Sequence, residues 1–261
     1  VKGGIARQGK PQVRRMARRM AKRMVRPMAE PQVPEPSSSN ALKPPAAILF
    51  DLDGTLLDTA PDLGAALNRM LERRGFEPLA PEVIRPHVSR GSRGLTELAC
   101  QHRPMGVAAD ALRDEFLEEY AAAICVDSCL FEGMAQVLAE IEASACRWGI
   151  VTNKPGWLTD PLLAALGLDK RAACVVSGDT TAHAKPHPMP LLHAAGILTL
   201  SSAECLYVGD DLRDIQAARA AGMPVVAAGY GYVGVDSPPA AWGADAVLTH
   251  PAELRAFLPG V

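Results

Sequence analysis

Asp51 and Asp53 stand two residues apart in Phe50-Asp51-Leu52-Asp53-Gly54-Thr55, directly after the apolar run Ala-Ala-Ile-Leu-Phe. Two carboxylates in the first turn after a strand, with a glycine permitting a tight reversal, can divide the labour of nucleophile and general acid/base. An Asp-Gly step is also a common turn signal. A second group, Asp210, Asp211 and Asp214, follows another apolar run at Tyr207-Val208-Gly209. A helix dipole welcomes one or two acids in a first turn, but three so close need a cation, and hard oxygen ligands select magnesium.

Two further positions could handle an anionic substrate. Thr152 closes Gly149-Ile150-Val151-Thr152 with Asn153 and Lys154 behind it. Its hydroxyl and the neighbouring N–H groups could bind phosphoryl oxygens, or could cap a helix beginning near Pro155. Lys185 lies between Ala184 and Pro186 in a loop whose prolines hold the backbone and point one cation in a fixed direction. His183 and His187 flank it, but that spacing around a proline-containing loop is poor metal-ligand geometry.

These residues need a frame. From Ala46 onward, short apolar runs alternate with helical stretches, with strands expected at 46–50, 148–152, 174–177, 205–208, 225–228 and 246–248. That alternation predicts an α/β fold, a doubly wound, Rossmann-like parallel sheet of five or six strands with ligands at the strand carboxyl ends. About a hundred residues separate the first two strands, far more than one crossover helix requires. They read as helices at 62–74, 82–87, 94–101 and 109–124, an inserted all-α helical cap. The expected division is a core of residues 45–59 and 130–261 with a cap of residues 60–129.

Residues 1–28 carry ten Lys or Arg and no acid, so the acidic excess lies entirely in the remainder. An acidic globular part argues against nucleic acid as main partner. The basic start and the Pro- and Ser-rich stretch after it predict a disordered extension over residues 1–44. No apolar run approaches the length of a membrane span or a secretory signal, so the expectation is a cytoplasmic protein without membrane partners. The six cysteines are scattered, with no C-x-x-C pair, and read as reduced thiols. A monomer or a homodimer is expected.

Taken in order, Asp51-Leu52-Asp53-Gly54-Thr55, Thr152, Lys185 and Gly209-Asp210-Asp211 resemble the motifs of the haloacid dehalogenase superfamily over residues 46–260. The resemblance implies a phosphatase working through an aspartyl-phosphate. Asp51 would attack phosphorus, Asp53 protonate the leaving oxygen and then activate water, Thr152 hold the phosphoryl group, and Lys185 neutralise charge. Mg2+ would sit on Asp51, the Asp53 carbonyl, Asp210 and, through water, Asp211, with Asp214 orienting its neighbours; the division between the last two stays open. Asp53 argues against a dehalogenase, which releases halide and needs no proton donor, whereas cleaving a phosphate ester leaves an alkoxide that does.

Among capped members, the stretches 130–134, 148–155, 208–215, 230–232, 242–245 and 251–254 are similar to the phosphoglycolate phosphatase group and to its relative acting on N-acetylmuramic acid 6-phosphate. Both substrates are small phosphate esters with a carboxylate, so a cap cation is expected. Arg90 and Arg93 in Ser89-Arg90-Gly91-Ser92-Arg93-Gly94 are the candidates, each also readable as a solvated loop residue. Thr152, Asn153, Lys185, Arg90 and Arg93 are thus the expected substrate contacts. A β-phosphoglucomutase-like phosphomutase and a noncatalytic binder are the other classes, the latter disfavoured because every catalytic residue type is retained.

Overall fold

The computed structural model describes residues 43–234 and 237–258, together with Val1. The expected extension, residues 1–44, falls outside them save for Val1, Lys43 and Pro44.

Strand β1 (Ala47–Phe50) is buried at all four positions, as a strand covered on both faces must be, and reads as an unbroken apolar run. It pairs in parallel with β4 (Arg147–Val151) on one side and β6 (Cys205–Gly209) on the other. Beyond these lie β5 (Val175–Val176), β7 (Val225–Ala228) and β8 (Ala246–Leu248), giving six strands in the order β5-β4-β1-β6-β7-β8. From β1 the order runs outward in both directions, so a crevice opens at its carboxyl end, between β4 and β6.

The pleat of β1 serves two cores. Ile48 and Phe50 join Trp148, α5 (Met134–Ala143) and α6 (Gly156–Ala165) on one face. Ala47 and Leu49 join α7 (Met189–Ile197) and α8 (Leu212–Ala220) on the other. Each large apolar side chain buried in this way contributes about 1.5–3 kcal/mol.

The expected insert is helical. It comprises α1 (Ala60–Arg73), α2 (Pro81–Ile84), the 3-10 turn Arg85–Arg90, α3 (Gly91–His102) and α4 (Ala109–Ala122). These helices close around their own cluster, with Leu67, Met70, Leu95, Leu112 and Phe116 at its centre. The expected short helix at 82–87 breaks into α2 and the 3-10 turn because Pro86 lacks an N–H. Both chain crossings between insert and sheet are tied by β2 (Leu57–Asp58) paired antiparallel with β3 (Cys129–Leu130). Two-residue strands carry no periodicity, so this clasp was not readable from sequence.

All six cysteines are free thiols, and only Cys146, Cys174 and Cys205 are buried. Among the described residues, no helix is long and apolar enough to cross a membrane.

Candidate active site

Asp51 is the residue after β1, and its N–H still donates to Val208 O (2.9 Å), so the strand delivers it to the sheet edge without slack. Its Oδ1 accepts from Leu52 N–H at 2.8 Å and faces Lys185 Nζ at 2.8 Å. Gly54, with φ of +88°, then reverses the chain. A Cβ there would lie 2.2 Å from Asp210 Oδ2, so only glycine fits.

Lys185 is buried and its ammonium has three partners, matching its three donors: Asp51 Oδ1 at 2.8 Å, Asp214 Oδ1 at 2.7 Å and Tyr207 Oη at 2.7 Å. Burial alone would push Lys185 down, but Asp214 and Asp51 outweigh it and hold its pKa above the ordinary lysine value. The loop that carries it is pinned by Asn153, whose Nδ2 donates to Lys185 O and whose Oδ1 accepts from Lys185 N–H, both at 2.9 Å. Asn153, expected among the substrate contacts, borders the cavity described below and also uses both ends of its amide to place Lys185.

Asp210 is almost fully enclosed. Its Oδ1 accepts from Thr55 Oγ1 (2.9 Å), and its Oδ2 lies 2.9 Å from Ser89 Oγ and accepts from Tyr232 N–H at 3.0 Å. Burial and then the charges of Asp51 and Asp214 raise its pKa well above the carboxylate range, against the hydrogen bonds from Thr55 and Ser89. Asp51 is pushed up to about 7, by burial first, with Lys185 opposing and Asp214 adding.

The third acid of this group is Asp214 rather than Asp211. One oxygen from each of Asp51, Asp210 and Asp214 falls within 4.8 Å of the others. Asp211 is the N-cap of α8, its Oδ1 accepting from Arg213 N–H and Arg213 Nε, each at 2.8 Å. In the reciprocal half of that capping box, Asp214 Oδ2 accepts from Asp211 N–H at 3.1 Å, which turns Asp214 back toward the strand ends. The helix start thus assigns the two acids that sequence left undivided: Asp211 faces outward to an arginine, and Asp214 inward to Lys185.

Asp53 stands apart from this cluster. Its Oδ1 accepts from Thr59 Oγ1 at 2.6 Å and from Lys154 Nζ at 3.0 Å. Lys154, buried directly after Thr152 and Asn153, received no role from sequence, because one lysine among strand-end polar residues reads as solvated charge. Ser89 and Tyr207 were missed likewise. Thr152 is buried, and its Oγ1 accepts from Lys154 N–H at 3.1 Å.

Between the insert and the strand ends lies a cavity of about 420 Å³ reached by Asp51, Asp53, Thr152, Lys185, Arg90 and Arg93. Arg93 pairs with Glu97 at 3.0 Å on the exposed face of α3. Arg113 also borders the cavity and donates through Nε to Ser92 Oγ (3.0 Å), an arginine that the sequence pattern did not single out. His183 and His187 stack on each other at 4.4 Å, exposed beside the Lys185 loop.

The family profile of haloacid dehalogenase-like hydrolases matches residues 48–228, which takes in every strand-end carboxylate described above. The chain belongs to that family. A phosphoglycolate phosphatase of Xanthomonas campestris is 48% identical over 80% of this chain and 95% of its own length. An N-acetylmuramic acid 6-phosphate phosphatase of Pseudomonas putida is 46% identical over 80% of this chain and 94% of its own. Among solved structures, a predicted phosphoglycolate phosphatase of Haemophilus somnus superposes with a TM-score of 0.73 at 28% identity, covering 82% of this chain and 98% of that one. The family assignment fits a site in which one acid faces a buried lysine and a second is held apart from it.

Proposed function

We propose that this phosphatase hydrolyses a small carboxylated phosphate monoester by passing the phosphoryl group through Asp51. The observation that carries the reading is the separation of the two strand-end acids. Asp51 faces an ammonium at 2.8 Å in an anionic pocket, whereas Asp53 is held by Thr59 and Lys154 on another side. Phosphoryl transfer asks chiefly for positioning and charge neutralisation, and this division supplies a nucleophile in one place and a proton carrier in another. Asp51 attacks phosphorus, Lys185 stands against the charge that gathers there, Thr152 holds a phosphoryl oxygen, and Asp53 gives the leaving oxygen its proton. Asp53 then takes a proton from the water that attacks the aspartyl-phosphate. Residues 60–129 act as the cap over this chemistry, and residues 45–59 and 130–261 as the core.

The donor set suits Mg2+. Three carboxylates converge with a single ammonium among them, an oxygen-rich set short of positive charge. Asp51, Asp210 and Asp214 would hold the ion, while Asp211, expected to act through water, is held by Arg213 outside the converging group. When bound it would supply positive charge against the phosphoryl oxygens. Excess chelator is therefore expected to abolish hydrolysis and added Mg2+ to restore it. Full turnover in chelator would remove the metal from the proposal.

For the substrate, the relatives named above act on phosphoglycolate or N-acetylmuramic acid 6-phosphate, both carboxylated. The cavity of about 420 Å³ lies within the roughly 300–1,000 Å³ typical of pockets that enclose a sizeable organic ligand, which favours the second, sugar-sized substrate as an alternative to the first. Profiling kcat/KM on both, with ethyl phosphate as an ester lacking a carboxylate, tests the class. Preference for ethyl phosphate would overturn it. Arg90 and Arg93 both border the cavity, and Arg90→Ala is expected to lower kcat/KM for the carboxylated ester about tenfold or more and spare ethyl phosphate. Equal losses on both would mean that the loop only shapes the cap.

A further inference from the structure

Among the described residues, one buried side-chain polar atom lacks a hydrogen-bond partner, the phenolic oxygen of Tyr120. Buried hydroxyls are almost always partnered because an unmade bond costs the full desolvation of the group, so an orphan asks for a reason. Tyr120 is fully buried on the last turn of α4 and borders the cavity that holds Asp51 and Asp53. The nearby buried carboxylate of Asp62 is not its partner and is held instead by the N–H groups of Val126, Asp127 and Ser128 and by the Ser128 hydroxyl.

The position of the ring says which part of a substrate it meets. Lys154 Nζ lies 4.6 Å from the Tyr120 ring centroid and 3.0 Å from Asp53 Oδ1, so ring, ammonium and Asp53 carboxylate form one continuous contact. Asp53 is the acid assigned to the leaving oxygen, and Lys185, on the phosphoryl side, contacts neither group. Tyr120 therefore borders the space taken by the organic part of the ester. Burial, then the charges of Asp53 and Asp62, raise its pKa far above the ordinary phenol value, so it remains a hydrogen-bond donor throughout the working range.

We propose that Tyr120 is a specificity-determining residue, whose phenolic O–H donates to an oxygen on the leaving alcohol, the carboxylate of a carboxylated phosphate ester. The assignment rests on the phosphatase reading above. A site built to donate to such an oxygen rejects an ester lacking it, since the donor is then left unpaired.

Tyr120→Phe removes the oxygen and keeps the ring beneath Lys154. With whichever of phosphoglycolate and N-acetylmuramic acid 6-phosphate the wild type prefers, kcat/KM is expected to fall about tenfold or more, while ethyl phosphate changes less than about twofold. Because the hydroxyl has no partner to lose, the variant should melt at the same temperature as the wild type or higher. Equal rates on the carboxylated ester, or equal losses on both esters, would overturn the assignment, as would a clear drop in melting temperature, which would reveal a structural partner. A wild type that hydrolyses none of the three esters would instead sink the phosphatase reading itself.

Discussion

Asp51→Asn is expected to lower kcat at least about a hundredfold while leaving the protein folded. An amide carries no charge with which to attack phosphorus. It can nevertheless keep the local contacts, because its oxygen can still accept from Leu52 N–H and Lys185 Nζ, both now at 2.8 Å from Oδ1. Loss of activity should thus come without loss of structure. The stability change has a definite sign. In the metal-free folded protein the Asp51 carboxyl is pushed up to about 7, against 3.8 for an ordinary aspartate, so between these values the folded state binds the proton more tightly than the unfolded state. Stability from this group is present at low pH and lost as pH rises through about 4 to 7. The Asn variant lacks that loss, so without metal it should melt at or above the wild type at pH 8, and gain less relative to it at pH 5. Residual turnover above about one hundredth of wild type would remove Asp51 from the nucleophile role, whatever the melting curves show.

What could be read in advance divides by the range of the interaction that carries it. The parallel sheet was legible because β1, β4, β6 and β7 are buried on both faces and their apolar runs are continuous in sequence. Asp51, Asp53, Asp210 and Lys185 were legible because strand ends and rigid turns place side chains through local geometry. The β2–β3 clasp joins residues about seventy apart through two-residue strands, and local periodicity carries no trace of it. The Asp211 and Asp214 roles depend on a helix start whose N-cap could have been chosen one residue either way. The contacts of Lys154, Asn153 and Ser89 were not readable for another reason. Each acts on a partner from a distant segment, Asp53, the Lys185 backbone and Asp210 respectively, and residue type alone does not name that partner.

The buried ammonium of Lys185 is the other place where one substitution should have a large effect, and its pH dependence separates charge from shape. Lys185→Met keeps much of the stem volume but leaves Asp51, Asp210 and Asp214 within 4.8 Å of one another with no counter-charge among them. Removing one partner of a buried ion pair costs about 3–5 kcal/mol, because the surviving charges stay buried. At roughly 2–4 °C per kcal/mol for a domain of this size, the metal-free variant should melt about 6–20 °C below wild type near pH 8. Lowering the pH should close most of that gap. Lys185 holds the Asp51 carboxyl down, so its loss lets that pKa rise further above the unfolded value, and protons then serve in place of the ammonium. Such a group stabilises below its unfolded pKa and costs stability as pH climbs through the folded one, so the gap should widen steadily from pH 5 to pH 8. Wild-type Lys185, itself raised above the ordinary lysine value, contributes throughout this window and fails only in strong alkali. Added Mg2+ should recover melting temperature, since a divalent ion answers the excess of negative charge, but not turnover, which is expected to remain about a hundredfold or more below wild type because no cation stands at the Lys185 position during transfer. A melting difference that is the same at pH 5 and pH 8 would show that Lys185 fills space rather than balancing the three carboxylates.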